Sequence, residues 1–246
     1  LEQCSSEITA YYKAGLLQGD SLTDLTGGFG VDCSFLAEKF KSVTYVERQE
    51  ELCGIAAHNF HILGLNHINV KNEDGIAHLK AMSPVDCIFL DPARRNEHGG
   101  KAVAISDCEP DVAALEGLLL NKAKQVMVKL SPMLDLSLAL RELQQTQEVH
   151  IISVNNECKE LLLILGQTIP QEIKIHCVNL STKGEQEGQH FTFTREQEQC
   201  SQCNYTDSLD EYLYEPNASL LKAGAFKSLS SAFPIRKLHP NSHLYT

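Results

Sequence analysis

Asp24-Leu-Thr-Gly-Gly-Phe-Gly-Val-Asp32 stands at the end of an apolar, β-branched stretch (21–26) and leads into a segment of helical period (31–40). Glycines at a strand-to-helix turn allow close approach to the backbone, because no Cβ intervenes. Gly28-x-Gly30 alone is also an ordinary tight turn, so its surroundings decide the reading. Asp24 closes the first strand and Glu47 closes the second (42–47), where a carboxylate can accept both hydrogen bonds of a ribose diol. Dinucleotide-binding folds share that acid, but Cys33 stands where they expect a third glycine.

Outward from this turn, strand and helix signals alternate. Strands are expected at 21–26, 42–47, 68–71, 85–91, 125–130 and 149–154, and helices at 31–40, 49–63, 75–81, 111–123 and 136–145, with one more at 5–17. That rhythm predicts an α/β fold: a Rossmann-like, doubly wound, mostly parallel sheet. Beyond Val154 the stretches 159–165, 174–180 and 190–194 leave no room for crossover helices and predict antiparallel strands at the sheet edge. Residues 195–207 read as a linker. The expected organisation is a domain over 1–200, opened by an N-terminal helix within 1–18, and a partial small domain over 205–246.

Taken together, these motifs resemble the class I S-adenosylmethionine (SAM)-dependent methyltransferases. Asp24-Leu-Thr-Gly-Gly-Phe-Gly30 is similar to their first motif, Glu47 to the ribose acid, Asp74 to the adenine-side acid and Asp91-Pro-Ala-Arg94 to the fourth motif. The resemblance implies SAM as cofactor, held by Asp24, Thr26, Gly27, Gly28, Gly30, Glu47, Asp74 and Asp91. Thr26 departs from the glycine that many members carry, and Asp74 reads equally as a helix N-cap. A closer resemblance, to bacterial methyltransferases with a C-terminal THUMP-like domain, rests on four stretches: Asp91-Pro-Ala-Arg-Arg95, Lys129-Leu-Ser-Pro-Met-Leu-Asp135, Asn155-Asn-Glu-Cys-Lys-Glu-Leu161 and Tyr214-Glu-Pro-Asn-Ala-Ser219. It implies RNA modification, with tRNA or rRNA as the partner, and a cytoplasmic protein.

At the reacting end, Asp91 closes the fourth strand, on the rim where open α/β sheets hold ligands. A carboxylate followed by rigid Pro92 can hold an amino or ring nitrogen in line for methyl transfer. A strand-ending Asp-Pro turn is the plain alternative. The sequence lacks the aromatic that follows Asp/Asn-Pro-Pro in amino-group methyltransferases, so Arg94 and Arg95 become candidates for phosphate contact or for stacking on a base. The catalytic candidates are therefore Asp91, Pro92 and Arg94, and 96–109 is a candidate lid. Catalysis by cysteine is disfavoured. Cys87 lies inside a strand, and Cys108 has acids nearby, which raise a thiol pKa.

Bulk properties bound the alternatives. In 246 residues, 43% are hydrophobic and 22% charged, as in ordinary globular chains. No apolar run approaches the roughly 18 residues of a membrane span, and no signal peptide opens the chain. Nine cysteines, an odd number, fit reduced thiols better than a disulfide framework. The start at Leu1 and the stop at Thr246 suggest a fragment of a longer protein. Cys200-x-x-Cys203 lacks a second pair, and His58 and His61 lack a nearby acid, so no metal site is expected. A net charge of −11 argues against nonspecific coating of nucleic acid. The stretch 216–246 holds Lys222, Lys227, Arg236 and Lys237 and no acid, which makes it the candidate RNA contact. Its aromatics, with Tyr205, Tyr212 and Tyr214 before it, read mostly as the core of the small domain. A methyltransferase of proteins or small molecules, or a SAM-binding module without catalysis, remains the alternative.

Overall fold

The computed structural model describes residues 4–94, 104–182 and 188–246. The chain divides into two compact units, Leu1–Thr146 with Leu163–Ile169, and Gln147–Leu162 with Pro170–Thr246.

The first unit is built on parallel strands: β1 (Ser21–Asp24), β2 (Ser42–Glu47), β3 (Ile68–Asn72), β4 (Val85–Leu90) and, after a short pair β5 (Ala93–Arg94) and β6 (Cys108–Glu109), β7 (Ala123–Leu130). They lie in the order β3-β2-β1-β4-β7, every neighbouring pair parallel. Strand order reverses between β1 and β4, and ligands of such sheets bind beyond the strand ends at that point. Burial on both faces explains why β4 and β7 read as near-continuous apolar runs. The helices are α1 (Glu7–Ala14), α2 (Val31–Ala37), α3 (Glu50–Ile62), α4 (Gly75–Ala81), α5 (Val112–Lys122) and α6 (Leu136–Glu142). Three of them start where an Asp side chain accepts an orphan backbone N–H: Asp74 from Ala77, Asp111 from Ala114 and Asp135 from Leu138. The first strand is shorter than its apolar pattern suggested. It stops at Asp24, whose carboxylate accepts the Thr26 N–H and turns the chain.

The second unit holds most of β8 (Thr146–Val154), the start of β9 (Glu157–Gly166), then β10 (Lys174–Leu180) and β11 (Gln189–Thr194). Asn155 and Asn156, at φ of 49° and 67°, make the two-residue turn from β8 to β9. β11 is antiparallel to β10, as the edge reading requires. β10, however, is parallel to β8. The intervening strand β9 itself serves as the crossover, a possibility that a search for helices misses.

Residues 195–207 are not simply a linker. Thr194 and Gln197 form a reciprocal capping box that starts α7 (Arg195–Cys200). Glu198 of α7 accepts the backbone N–H groups of Phe226, Lys227 and Ser228, and so caps α9 (Phe226–Ala232). Asn217 caps α8 (Ala218–Ala223), and Asn156 accepts the Ala218 N–H. Two of the stretches that carry the sequence resemblance thus meet through the Asn156 side chain. Of the late aromatics only Tyr245 is fully buried, while Tyr205, Tyr212, Tyr214 and Phe233 stand about half exposed. The core assignment was wrong for these four. Among the described residues, no helix is long and apolar enough to cross a membrane.

Candidate active site

The site lies at the C-terminal ends of β1, β2, β4 and β7, all within the first unit. Between β1 and α2 the glycine loop turns over Tyr45. A Cβ on Gly27 would sit 2.1 Å from the Tyr45 ring, so the ring beneath requires glycine there. The Tyr45 hydroxyl donates to the Gly28 carbonyl, and the ring meets Phe60 edge-on at 5.4 Å. Gly28, at φ +53°, differs: a Cβ there would have no atom nearer than 3.9 Å, and this part of the loop is open. The smallness of Gly27 is therefore set from inside the protein, and that of Gly28 by backbone conformation.

Glu47 is held rather than free. One carboxylate oxygen accepts the Gly28 N–H and the other the Gln49 N–H, each at 2.9 Å. These bonds fix the loop against the end of β2 and aim the acid along the rim. Asp74 is the N-cap of α4, with one oxygen engaged at 2.8 Å.

Thr26 has a definite task. Its hydroxyl oxygen accepts the Asp91 N–H at 2.6 Å, tying the glycine loop to the end of β4. Glycine could not make that bond, and the departure noted in the sequence is a structural device. Pro92 is buried behind Asp91, while the Asp91 side chain keeps 39% of its surface exposed. Arg94 lies in β5, whose backbone pairs with β6. Arg95 and the first part of the candidate lid, 96–103, lie outside the described residues.

Three charged residues were not singled out from sequence. Lys129, at the end of β7, places its Nζ 2.5 Å from Asp91 and 3.2 Å from Asp32. Asp32, in the first turn of α2, also pairs at 3.1 Å with Lys13 of α1, whose side chain is fully buried. The Ser5 hydroxyl donates to Asp32 as well. A lysine inside the apolar run Val126-Met-Val-Lys-Leu130 was a legible signal. Lys13, in an ordinary amphipathic helix, gave none.

The electrostatics of these groups differ in an informative way. Burial pushes Asp24 up to about 8, with Asp32 and Asp91 adding to the rise, against the Thr26 N–H and Lys129. Burial also opposes ionisation of Asp32, but Lys13 and Lys129 outweigh it and hold that carboxyl below its ordinary value. Desolvation raises Asp91 despite the pull of Lys129. The rim thus combines a carboxyl that stays protonated near neutral pH, a fixed carboxylate, and an open carboxyl steered by a lysine.

The family model of protein-L-isoaspartate(D-aspartate) O-methyltransferase matches residues 4–96, and that of a ferredoxin-like domain matches residues 212–246. Among solved structures, a candidate methyltransferase from Porphyromonas gingivalis W83 is 38% identical, with a TM-score of 0.86. The match covers 100% of this chain and 61% of that one, so the chain spans about three-fifths of its relative's length. The modification subunit of a candidate type I restriction enzyme from Vibrio vulnificus YJ016 is 10% identical over 83% of this chain and 57% of its own, with a TM-score of 0.53. No match is found among curated proteins. The fold is that of the class I SAM-dependent methyltransferases.

Proposed function

We propose that this chain is the catalytic core of a SAM-dependent methyltransferase whose target is a base nitrogen of RNA. The observation that carries the reading is the set of acidic side chains at the ends of β1, β2 and β4, buried Asp24, Glu47 and Asp91, beside the open part of the glycine loop at the point where strand order reverses. Such a rim suits a ligand that is cationic at one end and carries a ribose diol at the other.

The residues fit SAM on their own chemistry. Asp24 is a buried acid whose ionised form lacks enough compensating positive charge, and a cationic ligand supplies it. Glu47 stands at the end of β2 with its orientation already set by two backbone N–H groups, so little freedom is lost when it accepts a diol. Asp74 keeps one oxygen beyond its cap bond for an amino group. When bound, SAM supplies an electrophilic methyl group on sulfonium.

The chain's part is to hold and deprotonate the acceptor. Asp91 is half open, backed by buried Pro92, and fixed through its own N–H to Thr26 and through its carboxylate to Lys129. A substrate N–H can donate to this carboxylate, which orients the nitrogen lone pair and takes the proton as the new bond forms. Lys129 favours the ionised carboxylate, and Asp32 in turn fixes Lys129.

RNA as the partner is supported by the sequence resemblance and by the basic stretch 216–246, which carries a THUMP-like reading where the ferredoxin-like match lies. Two of that stretch's four cations are committed internally. Arg236 bonds both oxygens of Asp210, and buried Lys237 bonds the Pro240 carbonyl and covers the Phe226 ring. The RNA contact is therefore assigned to Lys227, which is exposed.

The test is calorimetric titration with SAM, coupled to methyl transfer onto tRNA and rRNA. Wild type is expected to bind, Asp91→Asn to bind nearly as well but transfer roughly 10²-fold more slowly, as for a lost proton acceptor. Absence of SAM binding would overturn the cofactor assignment. Binding with transfer only to protein or small molecules would overturn the RNA assignment alone.

A further inference from the structure

In the second unit, three side chains of metal-ligating type converge on one face of the β8–β10 pair. Glu148 and His150 are two residues apart on β8, so they share a face of the strand. His176 on β10 is the register partner of His150 in the parallel ladder. The two imidazoles stack at 4.5 Å with their planes 14° apart. Their Nε2 atoms approach the same carboxylate oxygen of Glu148, at 3.5 Å from His150 and 3.8 Å from His176. One donor atom from each residue lies within 4.8 Å of the other two.

We propose that Glu148, His150 and His176 bind a single divalent transition-metal ion, zinc by the character of the donors. Two imidazole nitrogens and a carboxylate oxygen are a common zinc set. Metal–ligand bonds of about 2.0–2.2 Å at tetrahedral angles place donor atoms about 3.4 Å apart. The two distances to Glu148 exceed that by only a few tenths of an ångström, and a turn of the stacked imidazoles about their χ2 bonds brings both lone pairs onto one ion.

The surroundings of His176 strengthen the case. Its Nδ1 lies 2.9 Å from the Thr192 hydroxyl, the outer contact that orients a ligating imidazole. With Nδ1–H donated there, Nε2 turns a lone pair towards a carboxylate. Two acceptors then face each other, and a cation between them satisfies both. The His176 Nε2 atom is buried and has no hydrogen-bond partner among the described residues. Glu148, 40% exposed, provides the route of entry and leaves room for a water ligand. Lys174 and His190 lie close enough to influence His176, and Lys174, as a cation, works against the metal. The ion would clip β8 to β10.

The reduced, metal-free chain is titrated with zinc chloride against a chelator, beside His176→Gln, Glu148→Gln and the double variant Cys200→Ser/Cys203→Ser. One zinc per chain is expected, with affinity at least tenfold lower in the first two variants and unchanged in the cysteine variant. Cobalt in the unaltered chain should give a visible spectrum without a thiolate charge-transfer band, a readout that holds even where a variant fails to fold. The proposal is overturned by absence of saturable zinc binding, by equal affinity in all chains, or by a thiolate band with cobalt.

Discussion

Asp24→Asn isolates the energetic consequence of burying an acid at the rim. In the folded chain Asp24 is pushed up to about 8 from 3.8, burial being the main cause. The folded state therefore holds the proton more tightly than the unfolded state. Its contribution to stability is full below about pH 3.8 and is lost as pH rises towards 8. One pKa unit corresponds to about 1.36 kcal/mol, so wild type should lose about 3 kcal/mol between pH 5 and 7.5 from this group alone. Asparagine keeps the oxygen that accepts the Thr26 N–H but cannot ionise. Any cost of its buried amide is the same at every pH and shifts the curve without changing its slope. Urea unfolding of both proteins at several pH values, without ligand, should show the variant gaining on wild type by about 3 kcal/mol across that window. Parallel curves would refute the reasoning, because they would mean that Asp24 ionises in the fold as an ordinary carboxyl. The same substitution should weaken SAM binding, since the cationic ligand would lose its buried counter-charge.

Gly27→Ala should destabilise the first unit by about 1–3 kcal/mol, because its Cβ would meet the Tyr45 ring at 2.1 Å and force the ring off the Gly28 carbonyl; thermal unfolding reads the loss, and an unchanged midpoint would count against it. Thr26→Val leaves the Asp91 N–H without its acceptor at a cost of about 1–3 kcal/mol, and kinetics should show methyl transfer falling more than SAM affinity. Lys129→Met removes the cation 2.5 Å from Asp91, so that carboxyl rises further and the acid limb of the pH–rate profile moves to higher pH; an unmoved limb would separate Lys129 from the proton acceptor.

Where the candidate residues lie was largely legible, because strand ends and acidic residues coincide. Asp24, Glu47 and Asp91 follow β-branched runs, so their place on the rim followed from the period of the pattern alone. Asp74 was ambiguous between cap and ligand, and the structure fills the cap role through one oxygen. The linker reading of 195–207 missed α7 although the signal, Thr194-x-x-Gln197, was present, since an exposed polar helix has no apolar period to announce it. The direction of β10 was not legible, because the pattern along a strand says which faces are buried and nothing about which neighbour it joins.

By itself the sequence determined the α/β class, the order of its elements, the glycine turn and the three rim acids, because each is a matter of local period or turn chemistry. Only the tertiary structure decided what surrounds them. Lys13 and Lys129, 116 positions apart, meet on Asp32; Thr26 bonds Asp91; and His150 stacks on His176 across two strands. Such encounters depend on which elements pack together, and whether a buried charge is stabilised or stranded depends on who its neighbours are.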